Sequence, residues 1–330
     1  MGSIVEIMVM ISNNGEEVVN IYKPANLNGF LRYDLFTVET FGNIKDYHGA
    51  VFFPTKKSFL DLEPSQSFGF NVSLAKEYLL DESGNYRIEL NQKKLLHNPL
   101  QYVNVSCSNL DFDFFITDQL PISTYVEVSQ KLSKSNIKCE SFGNQHCIYN
   151  AKSIKELNET QEAHFSAKKF LEYTKNNIFN PLPAYIKSAY DTMFCKNNYS
   201  EINNLQSKLQ VMEDYMESDM NYWLRAKDCD PGDFGYIYPA QPQKNIYFCS
   251  LYESAKVVPD SSKNHDSKAG VIIHEVSHKA VNTLDHFYSY TNCETQALIC
   301  NPKTITNADC LQIFVELVAL QQNASLHDEL

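Results

Sequence analysis

The segment Val271-Ile272-Ile273-His274-Glu275-Val276-Ser277-His278 constrains this chain more than any other. Its two histidines stand four residues apart, so on a helix both imidazoles project from one face and can reach one metal ion, while Glu275 between them stays unligated. Ile272, Ile273 and Val276 make the surrounding turns apolar, as expected of a helix buried at a reaction centre. One Zn²⁺ held by two imidazoles and a third protein ligand keeps a position open for water, and a neighbouring carboxylate can take a proton as that water attacks a carbonyl. His274 and His278 are therefore the candidate ligands of one Zn²⁺ per chain, and Glu275 is the candidate general base.

Composition narrows the class further. At 330 residues the chain exceeds the usual size of a single hydrophobic core, so two domains are expected. A 43% hydrophobic and 12% aromatic content is ample for packed cores and excludes a disordered chain. The formal net charge of -12 argues against nucleic acid or an anionic membrane as partner, since both reward a basic surface. No apolar run approaches the length of a membrane span. Ile4 to Ile11 is too short, and carries an acid, for a secretory signal, and reads as a strand. Nine cysteines without a tetrahedral metal-binding pattern point to an oxidising compartment, either outside the cell or in the secretory lumen. Five Asn-x-Ser/Thr sequons, at Asn71, Asn104, Asn158, Asn198 and Asn323, are compatible with secretion and decide nothing. The terminal His327-Asp328-Glu329-Leu330 matches an endoplasmic-reticulum retrieval signal, with an added tag or coincidence as the alternatives.

Along the chain, residues 1–130 read as strands. Ile4 to Ile11, Glu17 to Tyr22, Leu35 to Thr40, Ser67 to Val72 and Tyr86 to Leu90 are β-rich runs separated by Asn13-Asn14-Gly15, Asn28-Gly29 and Ser83-Gly84-Asn85, a spacing that predicts an immunoglobulin-like β-sandwich. Residues 131–146, with Lys131, Lys134 and Lys138, read as a polar linker. From Cys147 the apolar period lengthens from two to about 3.6, and helices are expected over Ala163 to Asn176 and Ile202 to Leu224. Phe234 to Pro239 and Ile246 to Cys249 alternate as the two strands of a hairpin.

Around the metal motif, Asn282-Thr283-Leu284-Asp285-His286-Phe287-Tyr288 resembles the deuterolysin family, the aspzincin metalloendopeptidases that include the peptidyl-Lys enzymes, where the His-Glu-x-x-His motif is followed by Gly-Thr-x-Asp-x-x-Tyr-Gly. The resemblance implies Asp285 as the third zinc ligand, with His286, one residue on, as the competing candidate, and Tyr288 as the phenol that steadies the oxyanion; Asn282 and Ser289 stand where the family has glycine. Tyr236-Ile237-Tyr238-Pro239 and Phe248-Cys249 resemble two family strands and imply a disulfide between Cys229 and Cys249. Cys147 resembles the cysteine that opens the catalytic domain, with Cys195 as its candidate partner; Cys107 with Cys139, and two among Cys293, Cys300 and Cys310, are the further pairings expected. Asn307-Ala308-Asp309 resembles a segment in which, among lysine-specific relatives, the Asp lines the pocket for the residue after the scissile bond. On that resemblance Asp309 is a substrate-binding residue, although Gln312 replaces the acid that accompanies it, and a carboxylate facing the helix dipole is the structural alternative. The first 130 residues resemble the propeptide or accessory domain that precedes the catalytic domain in such enzymes. That implies intramolecular inhibition in a zymogen, with the lysines of the linker as sites of self-processing.

The expectation is an amino-terminal immunoglobulin-like β-sandwich over residues 1–130, then a mainly helical α+β zincin-like domain over 147–330. Its function is zinc-dependent hydrolysis of protein or peptide substrates. The alternative is a non-catalytic binding or adhesion protein whose zincin domain is an inactive scaffold, and the two altered glycine positions are its only support.

Overall fold

The computed structural model describes residues 6–13, 15, 16, 18–25, 31, 32, 34–40, 43–52, 59–78, 86–90, 110–116, 139–143, 145–195, 199–230, 232–260 and 266–327. The turns expected at Asn28-Gly29 and Ser83 to Asn85, together with Cys107, the three linker lysines and residues 328–330, lie outside them.

The amino-terminal half is built from antiparallel strands. β1 (Glu6–Asn13), β2 (Val19–Tyr22), β3 (Phe36–Thr40), β4 (Asn43–Lys45), β5 (Val51–Phe52), β6 (Phe59–Leu62), β7 (Ser67–Ser73), the one-turn helix α1 (Leu74–Glu77), β8 (Tyr86–Leu90) and β9 (Leu110–Ile116) follow in order. β1 lies between β7 and β9, β2 pairs with β6, and β3 lies between β4 and β8. The period of two predicted for these runs has its expected consequence: Val9, Ile11, Ile21, Val38, Leu62 and Val72 are buried in one shared core.

The carboxy-terminal half contains β10 (Glu140–Phe142), β11 (His146–Tyr149), the helices α2 (Ile154–Asn177), α3 (Ala184–Met193) and α4 (Ile202–Tyr215), then β12 (Asn221–Trp223), β13 (Gly235–Ile237) and β14 (Asn245–Phe248). Four helices complete it: α5 (Ser250–Ser254), α6 (Lys268–Val281), α7 (Tyr290–Leu298) and α8 (Ala308–His327). The run expected as one helix from Ile202 to Leu224 divides. Leu205, Leu209 and Met212 face the core from α4, the chain reverses through Asp219 in the left-handed region at φ 61°, and Tyr222 is then buried from a strand. A helical apolar stripe and a short alternating one had been merged. α2 in turn begins well before Ala163, because Ser153 caps it by accepting from the Glu156 N–H at 3.2 Å.

The sheet order is β10-β11-β12-β14-β13-β5, with β11, β12 and β14 parallel and the hairpin partner β13 antiparallel. The outermost strand, β5, comes from the amino-terminal half. Tyr236 of β13 pairs with Phe52 and Ile237 with Val51. α6 packs against α2, α4, α8 and β13, in a core that includes Leu171, Leu209, Phe248, Ile272 and Phe314.

Four disulfides join Cys139 to Cys147, Cys195 to Cys300, Cys229 to Cys249 and Cys293 to Cys310. The bridge expected between Cys229 and Cys249 is present. Cys147 pairs with Cys139 instead of Cys195, and Cys139 is thereby denied to Cys107. The β10–β11 hairpin sets Ser141 opposite Cys147, which leaves the Cα atoms of Cys139 and Cys147 5.3 Å apart, within bridging range.

Candidate active site

α6 supplies three of the predicted side chains. Ser267 caps it by accepting from the Gly270 N–H at 2.9 Å, and Gly270 lets α8 approach: a Cβ there would lie 2.2 Å from Glu316 Oε1. The helix ends at Asn282, in the left-handed region at φ 54°, ψ 40°. Asparagine tolerates this conformation better than most residues do, so its replacement of the expected glycine keeps the turn.

The turn brings the following loop back over the helix. His278 Nδ1 lies 2.9 Å from the Thr283 carbonyl, so Nδ1–H donates to that oxygen and Nε2 is the atom that could ligate a metal. Beyond it, Asn307 clamps the loop. Its side-chain oxygen accepts from the His286 and Phe287 N–H groups at 2.7 and 3.1 Å, and its amide donates to the Phe287 carbonyl at 2.8 Å. Asn307 entered the sequence analysis only as part of the Asn307-Ala308-Asp309 segment, with no role of its own.

Held in this way, Asp285 faces both imidazoles. Its two oxygens lie 3.2 Å from His274 Nε2 and 3.3 Å from His278 Nε2, and the two Nε2 atoms are 3.1 Å apart. Four ligands on Zn²⁺ at about 2.0–2.1 Å in tetrahedral geometry stand roughly 3.3 Å from one another. The donor set therefore fits zinc in both chemistry and spacing. His286 is not among the three; its Nε2 faces Thr306 Oγ1 at 3.4 Å.

The electrostatics follow from burial. The two imidazoles hold the Asp285 carboxyl well below the usual range although burial opposes them. Burial lowers His274, whereas at His278 the Asp285 charge outweighs burial and raises the imidazole to about 9. Glu275 is fully buried, neither of its oxygens has a hydrogen-bond partner among the described residues, and burial pushes it up to about 8. A buried carboxylate without a donor is rare unless it has a task. A Cβ on Gly235 of β13 would lie 3.5 Å from Glu275 Oε1 and 3.1 Å from the Tyr247 carbonyl, so glycine keeps the space between that strand and the carboxylate clear.

Tyr288 is 3% exposed; its ring lies 6.3 Å from that of His274, and its hydroxyl donates to the Phe52 carbonyl at 3.4 Å. Asp309, 2% exposed, stands behind His274, with Oδ1 3.8 Å from His274 Nδ1 and Oδ2 accepting from the Ser289 N–H at 2.5 Å. Glu316, one helical turn beyond Gln312, accepts from Ser267 Oγ at 2.5 Å and from Gln312 Nε2 at 3.2 Å. Burial raises both carboxyls, Asp309 and Glu316, well above the ordinary range. The sequence reading did not single out Glu316, whose only signal was an acid within an apolar helix.

Two imidazoles and a carboxylate around one point, with a buried carboxylate between the two histidines on the same helix, define a zinc-dependent hydrolase of the zincin kind. Residues 185–316 match the family of aspzincin lysine-specific metallo-endopeptidases, and the protein is a zinc metalloendopeptidase. An extracellular protease of Aeromonas hydrophila is 25% identical over 326 residues, covering 94% of this chain and 88% of the relative. A zinc peptidase from Grifola frondosa is 23% identical with a TM-score of 0.43, covering 50% of this chain and 96% of that one.

Proposed function

We propose that His274, His278 and Asp285 hold one Zn²⁺ and that Glu275 and Tyr288 carry out peptide hydrolysis beside it. The observation that carries this reading is the triangle of donor atoms with an unpartnered Glu275 next to it. Bound there, zinc supplies a Lewis acid for the carbonyl and lowers the pKa of a water in its open position. Glu275, buried between the two histidines, takes a proton from the attacking water and returns it to the leaving amine. The Tyr288 phenol donates to the substrate carbonyl oxygen as negative charge develops on it.

Three finer assignments belong to the same reading. The substrate residue after the scissile bond is lysine, recognised through Asp309; the carboxyl of Glu316 on the same helix supports this, because an ammonium is the partner that buried acids most need. The amino-terminal strands, gathered on one core, form a β-sandwich that acts as an inhibitory domain. In support, β5 lies along β13, where an extended peptide would add a strand, and the Phe52 carbonyl takes the hydroxyl of Tyr288. The four disulfides and the extracellular relative support secretion.

The test is digestion of an unfolded protein by the purified chain and by Glu275→Gln, with zinc quantified and the cleavage sites read by mass spectrometry. Hydrolysis should fall by about 10²–10⁴-fold in the variant with zinc retained. Equal hydrolysis by both would refute Glu275 as base, and cuts scattered without regard to lysine would refute the role of Asp309.

A further inference from the structure

Near Glu275 lies an acidic turn that the metal chemistry does not use. Asp233 stands two residues before β13, and Asp230 precedes Asp233 by a short turn in which the Asp230 N–H donates to Asp233 Oδ2 at 3.0 Å. The turn is pinned from both sides: Cys229 is bridged to Cys249, and the Cys249 N–H donates to the Phe234 carbonyl at 2.9 Å. Asp233 is 0% exposed and lies close enough to Glu275 for its charge to act on that carboxyl.

A guanidinium from the far end of the chain fills this turn. Arg32 is 0% exposed; Nη1 donates to Asp233 Oδ1 at 2.8 Å and Nη2 donates to Asp230 Oδ2. Its guanidinium also lies over the Phe52 ring, 5.3 Å from the centroid. Arg32 and β5 thus enter the cleft together: Phe52 pairs with Tyr236, stacks on its ring at 4.7 Å, and presents its carbonyl to Tyr288. A backbone strand on the edge of the sheet, a carbonyl at the phenol and a side chain in an acidic turn are what an extended substrate would also present.

We infer that Asp230 and Asp233 form a specificity subsite for a basic side chain of the substrate, which Arg32 occupies in the intact chain as a stand-in. This rests on the reading above that the amino-terminal half covers the cleft. Two carboxylates in one water-poor turn favour a cation, so a guanidinium or ammonium that takes the place of Arg32 is held there in preference to a neutral side chain. The planar, two-pronged contact favours arginine over lysine. The subsite is separate from Asp309, which belongs to α8 and lies with Oδ1 3.8 Å from His274 Nδ1.

The test has two arms. In the first, the full-length chain and its Arg32→Gln variant are titrated with N-acetyl-arginine amide and with the neutral citrulline analogue by calorimetry. Arg32→Gln should bind the arginine compound at least tenfold more tightly than the native chain does, and Asp233→Asn added to it should abolish the gain. A folded Arg32→Gln chain that binds both compounds alike overturns the subsite. The second arm needs no substitution in the turn. A full-length chain with a viral-protease recognition site placed between residues 131 and 138 is cut there and given peptides in which arginine or citrulline is scanned through each position around one scissile bond. At one position other than that after the scissile bond, arginine should raise kcat/KM at least tenfold over citrulline. Hydrolysis with no such position overturns the subsite and spares the peptidase reading. No hydrolysis of any peptide removes the peptidase reading instead, and the first arm then decides the subsite.

Discussion

The two halves of the chain encode their structure differently. The carboxy-terminal half places its chemistry on residue identity: two histidines at a fixed offset, an acid between them, and a loop whose Asp285 is returned to them by Asn307. The amino-terminal half is written in pattern alone, as alternating strands around one core with no ligand set or nucleophile among its described residues. Its contribution at the site is made by position, through β5 and Arg32. The difference teaches that a motif can announce a reaction from sequence, whereas a segment that lies against the site can be made of ordinary residues that matter only where they are placed.

The sharpest way to separate the halves is to remove the third ligand. Asp285→Ala should weaken zinc binding by more than about a thousandfold, beyond the ten- to hundredfold typical of groups that merely support a ligand, and hydrolysis should go with it. The amino-terminal core, which includes none of these atoms, should keep its hydrogen-exchange protection. Zinc retained at full occupancy in Asp285→Ala would return His286 to consideration.

A second contrast is with pH, because every buried histidine among the described residues lies in the carboxy-terminal half. His164 is 0% exposed, with Nδ1 2.6 Å from the Tyr222 hydroxyl, and burial, then the neighbouring His146, lowers it from 6.5 to about 3. Below pH 6.5 the unfolded chain takes a proton that the folded chain refuses, so stability is full above that pH and falls until about pH 3. The loss from this one group is on the order of 5 kcal/mol across the window. The native chain and His164→Gln, unfolded by urea at several pH values, should differ least in acid. A difference in stability that does not change with pH would rule this out.

How much of this was legible in the sequence follows from the same contrast. His274, Glu275 and His278 were readable because helical geometry ties sequence offset to one face. Resemblance named Asp285 and Tyr288, and their convergence depends on a left-handed turn at Asn282 and a clamp from Asn307, neither of which has a pattern of its own. The replaced glycines are explained once φ is known, because both positions need positive φ. Cys147 could not be paired from sequence, since spacing does not report that β10 and β11 fold onto one another. Nor could β5 be read as a catalytic-sheet strand: it is two residues long, and its partner lies far along the chain.

A smaller effect tests whether the amino-terminal half is separable at all. Leu62 is fully buried in its core, and Leu62→Ala should cost about 2–5 kcal/mol through lost burial and the cavity left behind. If that half only covers the cleft, the variant should keep its zinc and hydrolyse short peptides faster than the native chain. Loss of zinc on this substitution would show that the two halves fold as one cooperative unit and would end the comparison.

The smallest effect is at Ser289, which sits at φ 83°, ψ 151°, a backbone region almost reserved for glycine. The family has glycine here, and the serine was one of two grounds for suspecting an inactive scaffold. The contact this residue makes to the site is through its backbone: the Ser289 N–H donates to Asp309 Oδ2, and glycine has the same group. Ser289→Gly should therefore relieve strain of about 1–3 kcal/mol, partly offset by the greater freedom of glycine in the unfolded chain, for a net gain of roughly 1 kcal/mol. A raised thermal midpoint with unchanged kcat/KM is the expected result. A raised midpoint with a large gain in kcat/KM would mean instead that the serine misplaces Asp309 and His274, and that the carboxy-terminal half has given up activity at the position where its sequence departs from the family.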